Sequence, residues 1–126
     1  MRRHHPAEDH QFWHEYMGEG WETELEVQLR EFTRTVEYLQ AHRVRIAVVL
    51  LPQPSWESEL PYEGVYNVRI KELCGEREVE VHDWAGSLND DDFGDGAHVN
   101  VYGMEKLHRA IMEIALGHLR ATGVVP

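Results

Sequence analysis

The sequence is poor in cysteine, in basic residues and in long apolar runs, and each shortage removes a class of function. A single cysteine, Cys74, among 126 residues excludes a disulfide within the chain and fits a reducing compartment. Lysine and arginine number 12 against 23 aspartates and glutamates, a formal net charge of −11. No basic stripe is offered to a phosphate backbone, so nucleic acid is not expected as a partner. The longest apolar run, Ile46-Ala47-Val48-Val49-Leu50-Leu51, is too short to cross a bilayer. The opening Met1-Arg2-Arg3-His4-His5-Pro6 leads into acids, not into the apolar core of a signal peptide. The expectation is no membrane span and a cytoplasmic location, or an extracytoplasmic one if the chain belongs to a larger protein.

What remains is the length and apolar content of one small domain, without repeats or low-complexity tracts. Residues 1–18 read as an arm with four histidines, His4, His5, His10 and His14. His10 and His14 lie one helical turn apart and could share a face, but no third ligand stands at a fixed spacing. Neither a metal site nor a cofactor is expected. Residues 19–126 read as a single α/β domain.

Within that domain the apolar residues set the elements. Trp21, Leu25, Leu29, Phe32, Val36 and Leu39 recur at helical spacing over 21–40. Val44 to Leu51, rich in β-branched residues and stopped by Pro52, reads as a parallel strand buried on both faces. The loop after it, with Ser55, Trp56 and Ser58, sits where open α/β sheets place ligand crevices. Tyr62, Val65, Tyr66, Ile70 and Leu73 mark a second helix, with Gly75 as its expected left-handed cap. Val79, Val81 and Trp84 give a second strand. Asn100 can cap a last helix carrying Met104, Leu107, Ile111 and Ile114 and ended by Gly123.

Between the second strand and the last helix lies an acidic, glycine-rich loop, Asp91 to Gly103. Asp95 and His98 are three residues apart, so one turn of chain can set a carboxylate against an imidazole nitrogen and fix the ring's tautomer, the arrangement of a general base. Phe93-x-Asp95-x-x-His98-x-Asn100-x-x-Gly103, running into a helix, resembles the last catalytic block of the SGNH (GDSL-type) hydrolases, nearest the D-alanyl-lipoteichoic-acid transfer and alginate O-acetyltransferase relatives. The resemblance spans roughly residues 20–120 in order of elements and rests on this one motif.

The resemblance implies a partial flavodoxin-like, three-layer unit, helix-strand-helix-strand-helix with parallel strands, equivalent to the carboxyl half of such a domain. It implies that Asp95 orients His98 and that His98 acts as base toward a serine in an esterase or O-acyltransferase, on an acyl-ester small molecule or a carbohydrate. Ser55, Trp56 and Asn100 are the candidate binding residues. No Gly-Asp-Ser block or Gly-x-Ser-x-Gly elbow is present, so the nucleophile block is absent and catalysis needs a hydroxyl from elsewhere. The alternative is a non-catalytic interaction module on a half scaffold. Two strands leave sheet edges unprotected, which leads to the expectation of a homodimer or a complex with a missing half-domain, through the Val44 to Leu51 edge or the Leu25, Leu29, Phe32, Val36 stripe.

Overall fold

The apolar stripes become three helices and the two β-branched segments a parallel pair in the computed structural model, which describes residues 11, 15, 16, 18–57 and 61–124. His4, His5, His10, His14 and Ser58 lie outside the described residues. In order come α1 (Trp21–Ala41), β1 (Ala47–Leu50), α2 (Pro61–Glu76), β2 (Glu80–Asp83) and α3 (Val101–Ala121), with 3₁₀ turns at Ser55–Glu57 and Asp90–Asp92. This is a small α/β unit with a two-stranded parallel sheet joined through α2. No helix among the described residues is long and apolar enough to cross a membrane.

The strands pair Val48 with Val81 and Val49 with His82. Because side chains alternate along a strand, one sheet face presents Ile46, Val48, Leu50 and Val81. These pack with Leu29 and Val36 of α1 and Ile70 and Cys74 of α2 to form the core. The other face presents Ala47, Val49, Glu80 and His82, and α3 meets it through His118, whose Nε2 is 2.9 Å from Glu80 Oε2.

That asymmetry corrects the expectation for Val44 to Leu51. Only Leu50 of β1 is buried, while Ala47, Val48 and Val49 are half-buried and Val44 and Leu51 are exposed. Burial on both faces needs an apolar layer on each, and α3 supplies a polar contact instead. Its own stripe is partly uncovered: Leu107 is buried, but Met104 and Ile111 are exposed.

The ends of α1 and α2 share a device that residue type did not reveal. At α1 the Val44 N–H reaches the Leu39 carbonyl (2.9 Å) and the Arg43 N–H reaches Gln40 (2.9 Å). At α2 the Val79 N–H reaches Cys74 (2.9 Å) and the Glu78 N–H reaches Gly75 (3.3 Å). Each is a Schellman closure, and its left-handed position is held by Arg43 (φ 58°) or Glu78 (φ 54°). Gly75, the expected cap, lies inside α2. The α2 closure is placed by Val79, which packs beside Cys74 in the core and leaves Glu78 to take the strained conformation. Only α3 ends as read, at Gly123 (φ 71°). A left-handed non-glycine residue costs roughly 1–2 kcal/mol, part of which glycine returns through its greater unfolded entropy. Arg43→Gly and Glu78→Gly should each therefore raise stability by roughly 0.5–1 kcal/mol. A thermal melt that moves down, not up by a few degrees, would refute the assignment.

Candidate functional site

The loop before α3 is built by short-range hydrogen bonds. Asn89 and Asp92 form a reciprocal capping box around the Asp90–Asp92 turn, so a carboxylate and an amide close that turn without help from the core. Asp92 is buried and accepts from Lys106 Nζ at 2.8 and 2.7 Å, tying the turn to α3. Lys106 and the Asn89 N–H outweigh the opposing effect of burial and hold the Asp92 carboxyl below its usual range.

Asn100 joins the loop to the helix. Its Oδ1 accepts from the Tyr102 N–H (2.9 Å) and the Gly103 N–H (3.2 Å), as an N-cap should. Its Nδ2 donates to the Asp91 carbonyl at 2.6 Å, and its backbone N–H donates to Asp92 at 2.8 Å. Asn100, expected as a cap and as a binding residue, is thus occupied by structure.

Between these anchors the chain turns back on itself. Phe93 and Val99 form an antiparallel bridge and the Gly94 N–H donates to the His98 carbonyl at 2.8 Å. Asp95 sits at the bend, where its Oδ1 accepts from the Ala97 N–H (2.9 Å) and the His98 N–H (2.8 Å). The same carboxylate meets His98 Nδ1 at 2.9 and 3.0 Å. The pairing expected from the sequence is present. An ionised carboxylate can only accept, so Nδ1 carries a proton, and in the neutral ring the lone pair is on Nε2. Burial works against the charge on Asp95, but the Ala97 N–H, the His98 ring and the His98 N–H outweigh it and hold the carboxyl below its usual range.

The His98 side chain is 80% exposed, and among the described residues its ring hydrogen-bonds to Asp95 alone. Nε2 therefore faces outward, with no hydroxyl of the described residues bonded to it. The arrangement can accept a proton from an incoming group, and it holds no nucleophile of its own.

Ser55 and Trp56 are placed elsewhere. Ser55 donates its hydroxyl to Asp90 Oδ2 (2.7 Å) and its N–H to Asp90 Oδ1 (2.8 Å). These bonds outweigh burial and keep the Asp90 carboxyl below its usual range. Trp56 packs edge-on against Phe93, centroids 6.4 Å apart, bracing the base of the His98 loop.

The Ser55–Asp90 pair lines a crevice of about 470 Å³ at the carboxyl ends of the strands, together with Gln53, Asn67 and Leu88. Sequence reading missed Asp90 as the partner of Ser55. The signal was available, since both residues follow neighbouring parallel strands at a few residues' distance and must meet above the sheet. No group of three metal-ligating side chains converges among the described residues. Comparison with protein-family models, curated proteins and solved structures gives no match for this chain.

Proposed function

We propose that this chain supplies the Asp-x-x-His part of an SGNH-type serine esterase or O-acyltransferase, on the carboxyl half of a flavodoxin-like scaffold. One observation carries the reading: Asp95 holds His98 through Nδ1 and leaves Nε2 open to solvent. In this role Nε2 takes the proton from a serine hydroxyl as its oxygen adds to the ester carbonyl. It then passes that proton to the departing alcohol. The serine comes from a companion segment or chain, since Ser55 is bound to Asp90 and no Gly-Asp-Ser block occurs.

The purified chain should hydrolyse a short aryl ester poorly or not at all, and any turnover lost in His98→Ala and lowered in Asp95→Asn, which removes the charge facing the protonated ring, would reveal a nucleophile within this chain. Turnover unchanged in His98→Ala would overturn the reading. Robust turnover that depends on His98 yet survives joint replacement of Ser55, Ser58 and Ser87 would defeat the serine mechanism within this chain.

A second reading, a non-catalytic interaction module, is favoured by two unpaired outer strand edges among the described residues and by exposed Val101, Tyr102 and Met104 on α3. Both readings share an expectation of assembly. The α1 stripe is not available for it, because Leu29 and Val36 are buried in the chain's own core. The contact falls instead to the outer edge of β1, where unpaired N–H and C=O groups can take another strand. Sedimentation equilibrium should show a dimer or a larger complex at micromolar concentration. A monomeric mass with melting independent of protein concentration would exclude the assembly.

A further inference from the structure

The crevice that holds Ser55 and Asp90 has a neighbour. A smaller apolar slot of about 170 Å³ lies between the end of β2 and α3, walled by Trp84, Leu107 and Ala110, and Leu88 lines both spaces. The two differ in chemistry. The crevice offers side-chain amides from Gln53 and Asn67 and the hydroxyl and carboxylate of Ser55 and Asp90, with no cation among its lining residues. Apart from Ser87 the slot is walled by apolar side chains, and the one cation in its lining, Lys106, is committed to both oxygens of Asp92.

We propose that crevice and slot together bind one amphiphilic ligand, a neutral hydroxylated head group carrying a short apolar chain, with Leu88 at the junction. His98 lines neither space, so this binding step stands apart from the ester-processing reading. The crevice falls within the roughly 300–1,000 Å³ range of small-molecule sites. Its side-chain amides can exchange hydrogen bonds with a polyol, and its carboxylate, on a chain of net charge −11, repels an anion. The slot has room for on the order of five methylene-sized groups, taking about 30 Å³ for each. With Lys106 engaged, a free carboxylate finds no counter-ion there, so the chain must enter as an uncharged alkyl or acyl group.

The test uses alkyl β-D-glucosides of increasing chain length as probes, with glucose and hexanoate as controls, read by the side-chain amide signals of Gln53 and Asn67 and the Trp84 indole signal in NMR. Glucose should move the amides weakly and leave Trp84 alone. Each added methylene should tighten binding about fourfold until the slot is full, with Trp84 shifting in step, and hexanoate should move neither set. Ala110→Phe should plug the slot, abolishing the chain-length dependence while leaving the glucose response at Asn67. If Phe disturbs the fold, the smaller plug Ala110→Leu should shorten the longest chain accepted. Shifts that do not depend on chain length, or none at millimolar hexyl glucoside, would overturn the proposal. Chain-length-dependent binding retained equally in parent and His98→Ala would leave the two-part site standing whatever the fate of the ester-processing reading.

Discussion

Gly103→Ala should lower the stability of the protein strongly, although alanine is the better helix former. Gly103 is the third residue of α3, where helix propensity alone would favour alanine by about 1 kcal/mol. A methyl group there would run into the Asp92 carbonyl oxygen, inside van der Waals contact, and stand 3.0 Å from Val99 Cβ and 3.2 Å from Asp92 Cβ. Backbone sits on one side and a loop-closing side chain on the other, so neither can swing away. Overpacking of this kind costs about 1–3 kcal/mol where neighbours can move and more where they cannot. The clash therefore outweighs the propensity gain by a factor of two or more. A thermal melt should fall by roughly ten degrees, and the His98 ring signals should lose their dispersion. A melting temperature that rises would show that helix and loop are not pressed together as described.

Acid should unfold the chain with uptake of several protons. Among the described residues five carboxyls have folded pKa values below their usual range. Asp83 is lowered by Lys71 and the Ala85 N–H, Asp90 by Ser55, and Asp92 by Lys106 and the Asn89 N–H. At Glu80 and Asp95 burial acts in the opposite direction. It is overcome at Glu80 by His82 and His118, and at Asp95 by the Ala97 N–H and His98. A depressed folded value means that the stabilisation is complete above the unfolded carboxyl pKa of about 4 and disappears as pH falls through the folded values. Relief of self-repulsion among 23 acids works the other way on mild acidification. Stability should hold from neutrality to about pH 5 and then drop steeply. Denaturant midpoints measured across that range check this, and Asp92→Asn should shallow the drop. A flat profile down to about pH 3 would mean that these carboxylates are not held as described.

The sequence conveyed the parts that depend on local periodicity and little of what depends on neighbours. The spacing of Leu25, Leu29, Phe32 and Val36 located α1 to within a residue, because a stripe at 3.6 residues per turn has one structural outcome. Asp95, His98 and Asn100 were legible for a similar reason, since the carboxylate–ring pair and the Asn100 cap to the Tyr102 and Gly103 N–H groups span three residues or fewer. The strand ends were not. Val44 to Leu51 is apolar but for Arg45, yet the ladder stops where β2 stops, and pairing length belongs to two segments at once. Gly75 misled because the position of a Schellman closure is set by which residue packs back on the helix, here Val79, and not by which residue best tolerates a left-handed backbone. The Ser55–Asp90 pair, 35 residues apart in sequence, carries no local signature.

The bend around Asp95 has a thermodynamic consequence for anything that meets His98. Every bond that shapes it, from the Gly94 N–H to the His98 carbonyl and from three donors to the Asp95 carboxylate, is made within the chain itself. The entropy of ordering this loop is therefore lost during folding and not at the moment of encounter. A group arriving at Nε2 finds the imidazole already oriented, with the ordering of the loop behind it.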